Sequence, residues 1–173
     1  MNLYDQSVAT YRSRLGTFSG LLAKAEAHPG GEALLEAKLA EDMHPLATQI
    51  KFVANIPGDT AKSLGIAQNE WSMEPPTSFA QAKALIAQTT EMLDGISAED
   101  LPSPDARVEF SIGDGAFNFE LSAEEYVREF SLPNFYFHLS MAYAILRMKG
   151  LEIGKADFIP HMARYFKAPS QKP

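Results

Sequence analysis

The sequence predicts an all-α protein: a bundle of four helices with one small β-hairpin inserted before the last long helix. Three observations point to a helical bundle with a hairpin. Apolar residues recur at steps of three and four over several long stretches. Two Ser-x-x-Gln/Glu patterns, at Ser78 and Ser122, mark helix starts. Only residues 107–121 alternate polar and apolar around a glycine turn. A chain of 173 residues suits one domain, taken as 1–173, and can bury a core without covalent staples.

Bulk composition narrows the function. A net charge of −7 argues against nucleic acid or an anionic membrane as partner, because both repel an acidic surface. The absence of cysteine excludes disulfides, thiolate metal ligands and a cysteine nucleophile. The opening Met-Asn-Leu-Tyr-Asp-Gln lacks the basic and apolar runs of a signal peptide. No run of 18 apolar residues could span a membrane. A cytoplasmic protein of bacterial type is the expectation.

Along the chain, Tyr4, Val8, Tyr11, Leu15, Phe18, Leu22 and Ala25 predict one long amphipathic helix over residues 3–27. His28-Pro-Gly-Gly31 stops it, and His28 reads as a solvated residue at the helix end. Glu32 to Leu39 is a short helical piece. Asp42 is expected to cap the second helix, which turns Met43, Leu46, Ile50 and Val53 inward with Gln49 in the same sector. His44 stands at the rim of that face. Pro57-Gly58 is expected to kink or break the helix, with Asp59 restarting it as far as Leu64-Gly65.

Ile66 to Thr77 forms a connecting loop, in which Trp71 is expected to plug one end of the core. A third helix follows the Ser78 cap, with Phe79, Ala82, Leu85, Ile86, Leu93 and Ile96 as its core positions. In the hairpin, Val108, Phe110 and Ile112 can face the core with Phe117, Phe119 and Leu121 opposite them. A fourth helix is predicted over residues 123–149, kinked by Pro133 one turn before Asn134. Gly150 ends it, and residues 153–166 return along the bundle. Gly154-Lys155 lacks the upstream glycine and the Ser/Thr of a phosphate loop.

The fourth helix carries the candidate site. Val127, Phe130, Asn134, His138, Met141, Ile145 and Met148 form one stripe, apolar except for an amide and an imidazole one turn apart. Buried polar groups need partners, so this pair is either a hydrogen-bonded core feature or a ligand or metal position. Phe135, Tyr136 and Phe137 cannot all face one core, which suggests an interface.

Leu-Pro-Asn-Phe-Tyr-Phe-His (132–138), Ala-Tyr-x-Ile-Leu-Arg (142–147) and Gly-x-x-x-Gly-Lys-x-Asp-Phe (150–158) make up a signature. It resembles that of a bacterial family of unknown function within the DinB/YfiT-like superfamily of metalloenzymes. The resemblance implies an up-down-down-up bundle, a homodimer and a ligand cleft at one end. Better-known DinB-like members are metal-dependent thiol S-transferases and hydrolases that hold a divalent metal through three histidines. One lies on the second helix and two form His-x-x-x-His on the last. By distance to Leu146-Arg147 and Gly150, the last-helix pair falls on Asn134 and His138. The second-helix position falls on or near Gln49, with His44 the only histidine in that region. Amide oxygens are weak ligands for zinc or nickel, so the expected cofactor is none or a weakly bound divalent metal.

Three functions remain open from the sequence. One is a DinB-like S-transferase or hydrolase using His138 as catalytic base or strong ligand, with Asn134 and His44 as further metal positions. The second is a metal-free module binding a small molecule through Gln49, Asn134, Tyr136 and His138. The third is a structural role in which the polar residues only set the register of the bundle.

Overall fold

The computed structural model describes residues 2–67, 71, 73–113 and 115–167. Four long helices carry the fold: α1 (Val8–Glu26), α2 (Leu46–Ser63), α3 (Phe79–Asp94) and α4 (Leu132–Met148). The strands β1 (Arg107–Ile112) and β2 (Phe117–Ser122) stand between α3 and α4. Side-chain pairs give the helix directions. Arg12 meets Asp94 at 2.5 Å and Lys83 meets Glu26 at 2.6 Å, so α1 and α3 are antiparallel. Gln49 meets His138 while Thr60 meets Ser131, so α2 and α4 are antiparallel. Tyr11 meets Ser131 and Arg14 meets Tyr136, so α1 and α4 run together. The order is up, down, down, up.

The expected faces supply the core. Leu15, Phe18 and Leu22 of α1 lie among Leu46, Ile50 and Val53 of α2, Phe79, Ile86 and Leu93 of α3, and Phe135 and Leu139 of α4. Exposed ion pairs such as Arg12–Asp94 contribute little, so apolar burial holds the helices together. Among the described residues no helix is long and apolar enough to cross a membrane.

Several local expectations change. The first helix is not continuous from residue 3: Leu3–Gln6 is a separate turn, and the backbone breaks at Ser7. Asp42 does not cap α2, because Pro45 holds the N-cap position and the helix begins at Leu46. Pro57 neither breaks nor restarts α2, which runs from Leu46 through Ser63. Buried Val53, Ala54, Ile56 and Ala61 on either side hold the helix through the hydrogen bond that proline cannot make.

Gly58 lets Trp71 approach that helix. A Cβ on Gly58 would sit 2.1 Å from the Trp71 Cγ, a distance no side chain could tolerate. Half-buried Trp71 therefore packs on the main core through this glycine gap. Residues 68–70 and 72 of the same loop lie outside the described residues.

Ser78 caps α3 by accepting from the Gln81 N–H at 3.1 Å. The Gln81 carbonyl reaches back to Thr77 rather than to Ser78, so the box closes one residue early. At Ser122 the reciprocal pair is complete: Glu125 N–H donates to the serine hydroxyl, and the Ser122 N–H donates to the Glu125 carboxylate.

The hairpin forms with the expected pairing, Val108 opposite Leu121, Phe110 opposite Phe119 and Ile112 opposite Phe117. Gly113 and Gly115 both take positive φ in its turn, while Asp114 lies outside the described residues. The apolar face does not all reach the core. Val108 is buried in a small second cluster with Leu3, Leu64, Tyr126 and Val127, whereas Phe117 is 61% exposed. The base of the hairpin docks and the packing ends near Phe110.

The predicted fourth helix becomes three consecutive pieces: a short α turn Ala123–Glu125, a π-helical stretch Tyr126–Ser131, and α4. Leu132 N–H reaches the Val127 carbonyl, a wide turn that absorbs the disruption Pro133 brings. The wide turn also shifts the register. The inward row is Val127, Ser131, Phe135, Leu139 and Ala142, not the row through Phe130, Asn134 and His138. Asn134 and His138 consequently stand half-buried at the edge of the core.

Candidate functional site

Two helices build the site. α2 is regular past Gln49, so Gln49, Phe52, Ile56 and Ser63 follow one another at helical spacing along the side facing α4. α4 is regular from Leu132, so Asn134 and His138 are one turn apart.

At one end of this seam, Gln49 and His138 are joined. The Gln49 Oε1 lies 2.8 Å from His138 Nδ1, and the Gln49 Nε2 donates to the His44 carbonyl at 3.3 Å. The second bond orients the amide, so the atom facing the imidazole is an oxygen, which can only accept. Nδ1 therefore carries the proton, and the lone pair of the neutral ring is on Nε2. Gln49 itself is buried.

Aromatic packing closes around the ring. Phe52 stacks on His138 with centroids 4.4 Å apart, and the His44 ring tilts against Phe52 at 5.5 Å. Burial, helped by the nearby His44, pushes His138 down from its ordinary range to about 4. Because the folded state holds the ring neutral, this contribution to stability is full above the ordinary histidine value of about 6.5. It is lost as pH falls toward 4. An NMR titration should show the His138 ring neutral down to about pH 4. The acid-side fall in melting temperature should be shallower in His138→Gln, and titration near 6.5 instead would contradict the burial account.

Asn134 is not joined to this pair. Its side chain makes no hydrogen bond among the described residues and lines a different recess, with Asp59 and Ser63 of α2 and Ser111 of β1. The expected meeting of three polar residues is thus realised for Gln49 and His138 only. His44 takes part through its backbone carbonyl and ring face; its ring is exposed at the rim. Tyr136 points toward α1, where its hydroxyl accepts from Arg14 Nε at 2.9 Å. Of its neighbours, Phe135 is fully buried and Phe137 is 53% exposed.

Beneath the recess lies a buried hydroxyl triangle that spacing did not reveal. Tyr11 Oη is 2.6 Å from Ser131 Oγ and 3.3 Å from Thr60 Oγ1, and Thr60 also bonds Ser131. Thr60 donates to the Ile56 carbonyl at 2.7 Å, so toward Tyr11 and Ser131 it accepts. Burial pushes the Tyr11 phenol up, keeping it neutral. Three separate elements contribute one hydroxyl each, and no local pattern links them. Phe52 was missed for a different reason: one turn from Gln49, it reads as an ordinary core aromatic.

The donor set does not fit a three-imidazole metal centre. Gln49 Oε1 is occupied by the His138 proton, Asn134 faces elsewhere, and amide oxygens are poor ligands for zinc or nickel. Among the described residues no group of three His, Asp or Glu side chains converges to hold a metal ion.

Comparisons with known proteins agree with the architecture. A crystal structure of a DinB family member from Shewanella denitrificans is similar over 100% of both chains, with a TM-score of 0.77 and 26% identity. No curated protein matches the sequence. A family model described as a domain of unknown function, DUF1993, matches residues 3–159. Because the match covers residues 3–159, the chain belongs to the DUF1993 family.

Proposed function

We propose that this protein binds a small molecule along the seam between α2 and α4 and holds no metal tightly. The observation that supports it best is the hydrogen bond from His138 Nδ1 to Gln49 Oε1. It occupies the position where the better-known DinB-like proteins have a second-helix histidine, and it spends the amide oxygen on the imidazole proton. A metal-dependent S-transferase or hydrolase would need that oxygen, Asn134 and His138 to converge, and they do not. Acid–base work by His138 alone is also disfavoured at neutral pH, since a ring held near pKa 4 is a weak base.

Polar side chains left at the seam favour binding over a purely structural role. Asn134 spends none of its hydrogen-bonding capacity on the protein among the described residues, although half-buried. A group kept only for bundle register would be expected to have a partner. The test is titration of zinc and nickel into metal-free protein, followed by calorimetry and melting temperature. No saturating response at micromolar metal is expected. Purification with stoichiometric metal, or tight binding of either ion, would sink the proposal.

A further inference from the structure

We propose that the corner where α1 and α4 meet the tail binds a small oxyanion, with a dianionic phosphate group as the best match. Its donors are Arg14, Tyr136, His161 and Arg164. The corner stands apart from the α2–α4 seam, because Tyr136 and His138 are two residues apart on a regular helix and so lie on opposite faces of α4.

The tail brings the cations together. Lys24 of α1 holds Asp157 at 2.5 Å, and the 3-10 helical stretch Pro160–Tyr165 then lies against the same helix. It carries His161 and Arg164 to the neighbourhood of Arg14.

Charge pairing singles this corner out. With 22 acidic residues against 15 lysines and arginines, an arginine of this chain readily finds a carboxylate. Arg12 takes Asp94, Arg107 takes Glu120 and Arg128 takes Glu129. Among the described residues Arg14 and Arg164 have no such partner; Arg14 bonds two hydroxyls and Arg164 lies 4.7 Å from the centre of the Tyr165 ring. Burial first, then the charges of these two arginines, hold His161 below the ordinary histidine range, and no carboxylate opposes them. Like charges gathered in this way repel, and an anion between them relieves the repulsion.

Hydrogen-bond supply agrees with charge. Arg14 gives one N–H to the Tyr136 hydroxyl at 2.9 Å and one to Ser13 Oγ at 3.1 Å. The remaining N–H groups of its planar fork can take two oxygens side by side. Since the Tyr136 oxygen accepts from Arg14, its own proton is available to donate. His161 Nδ1 is buried without a partner, and on a protonated ring it becomes a further donor. Guanidinium, phenol and imidazolium all donate, which suits the acceptor oxygens of a phosphate.

The experiment is calorimetric titration with inorganic phosphate at mildly alkaline pH and fixed ionic strength, with acetate and chloride as controls. Separately, the His161 ring is titrated by NMR with and without phosphate. Phosphate should bind and raise the His161 pKa, because a neighbouring anion favours the imidazolium. Arg14→Gln should weaken binding about tenfold or more, the effect of losing a charge-assisted pair of hydrogen bonds. Arg164→Gln, at an exposed position where folding is not at stake, should weaken it as well. Arg12→Gln removes the same charge from the same helix and should leave binding unchanged, with melting curves checking that all three variants fold. Absence of phosphate binding, an equal loss in Arg12→Gln, chloride binding as tight as phosphate, or a His161 pKa that phosphate does not move would each overturn the proposal. Acetate binding as tightly as phosphate would refute the preference for a dianion.

Discussion

Replacing both Gln49 and Asn134 with histidine is expected to raise zinc affinity by orders of magnitude over the parent protein. Position 49 already reaches His138, with Gln49 Oε1 2.8 Å from Nδ1, so an imidazole there starts on the right side of the seam. Position 134 is one turn before His138 on a regular helix, the spacing at which two histidines chelate one ion. Three neutral imidazoles are a strong zinc set, whereas one imidazole and two amides are not. The substitutions remove the Gln49 bonds to His138 and His44, each worth about 1 kcal/mol. The metal-free double variant should therefore melt slightly below the parent. With zinc at a thousand times its dissociation constant, about 4 kcal/mol of stabilisation should appear as a higher melting temperature. The parent should show almost none. A double variant no more responsive to zinc than the parent would mean that positions 49, 134 and 138 do not share a coordination sphere.

Phe135→Ala should be the most damaging single substitution among the aromatics of α4. Phe135 is fully buried and meets the Tyr11 ring edge-on at 5.0 Å. Truncation removes the transfer energy of the ring and leaves a cavity beside the Tyr11–Thr60–Ser131 triangle, at a cost of about 3–5 kcal/mol. Urea denaturation would measure it, as a lower midpoint with unchanged slope. Phe137→Ala, at a 53% exposed position two residues on, should cost far less. Comparable losses for the two would contradict the inward row Phe135–Leu139–Ala142.

That contrast shows where a linear reading succeeds and where it stops. Polar residues at 49, 134 and 138 stand out from spacing alone, as amides and an imidazole on otherwise apolar stretches. Which of them meet does not. A stripe drawn at constant helical period assumes that the turns before Asn134 are α, and the π-helical stretch Tyr126–Ser131 breaks that assumption. One wide turn brings Phe135 inward and leaves Asn134 and His138 at the edge. Pro133 signalled a disturbance at this point but not its form.

The sequence by itself determined the features that depend on neighbours a few residues apart. These are the Ser122 capping box, the Ser78 cap, the pairing of Val108, Phe110 and Ile112 across the glycine turn, and the inward faces of α1 and α3. Caps, turns and amphipathic stripes are short-range effects, so residue type and spacing suffice to read them. Only the tertiary structure decided that α2 runs unbroken through Pro57, that Trp71 fills the gap at Gly58, and that Gln49 rather than Asn134 bonds His138. Each depends on how α2 and α4, or α2 and the Trp71 loop, lie against one another. That alignment is set by the summed packing of a core drawn from all four helices, in which no single residue pair announces its partner.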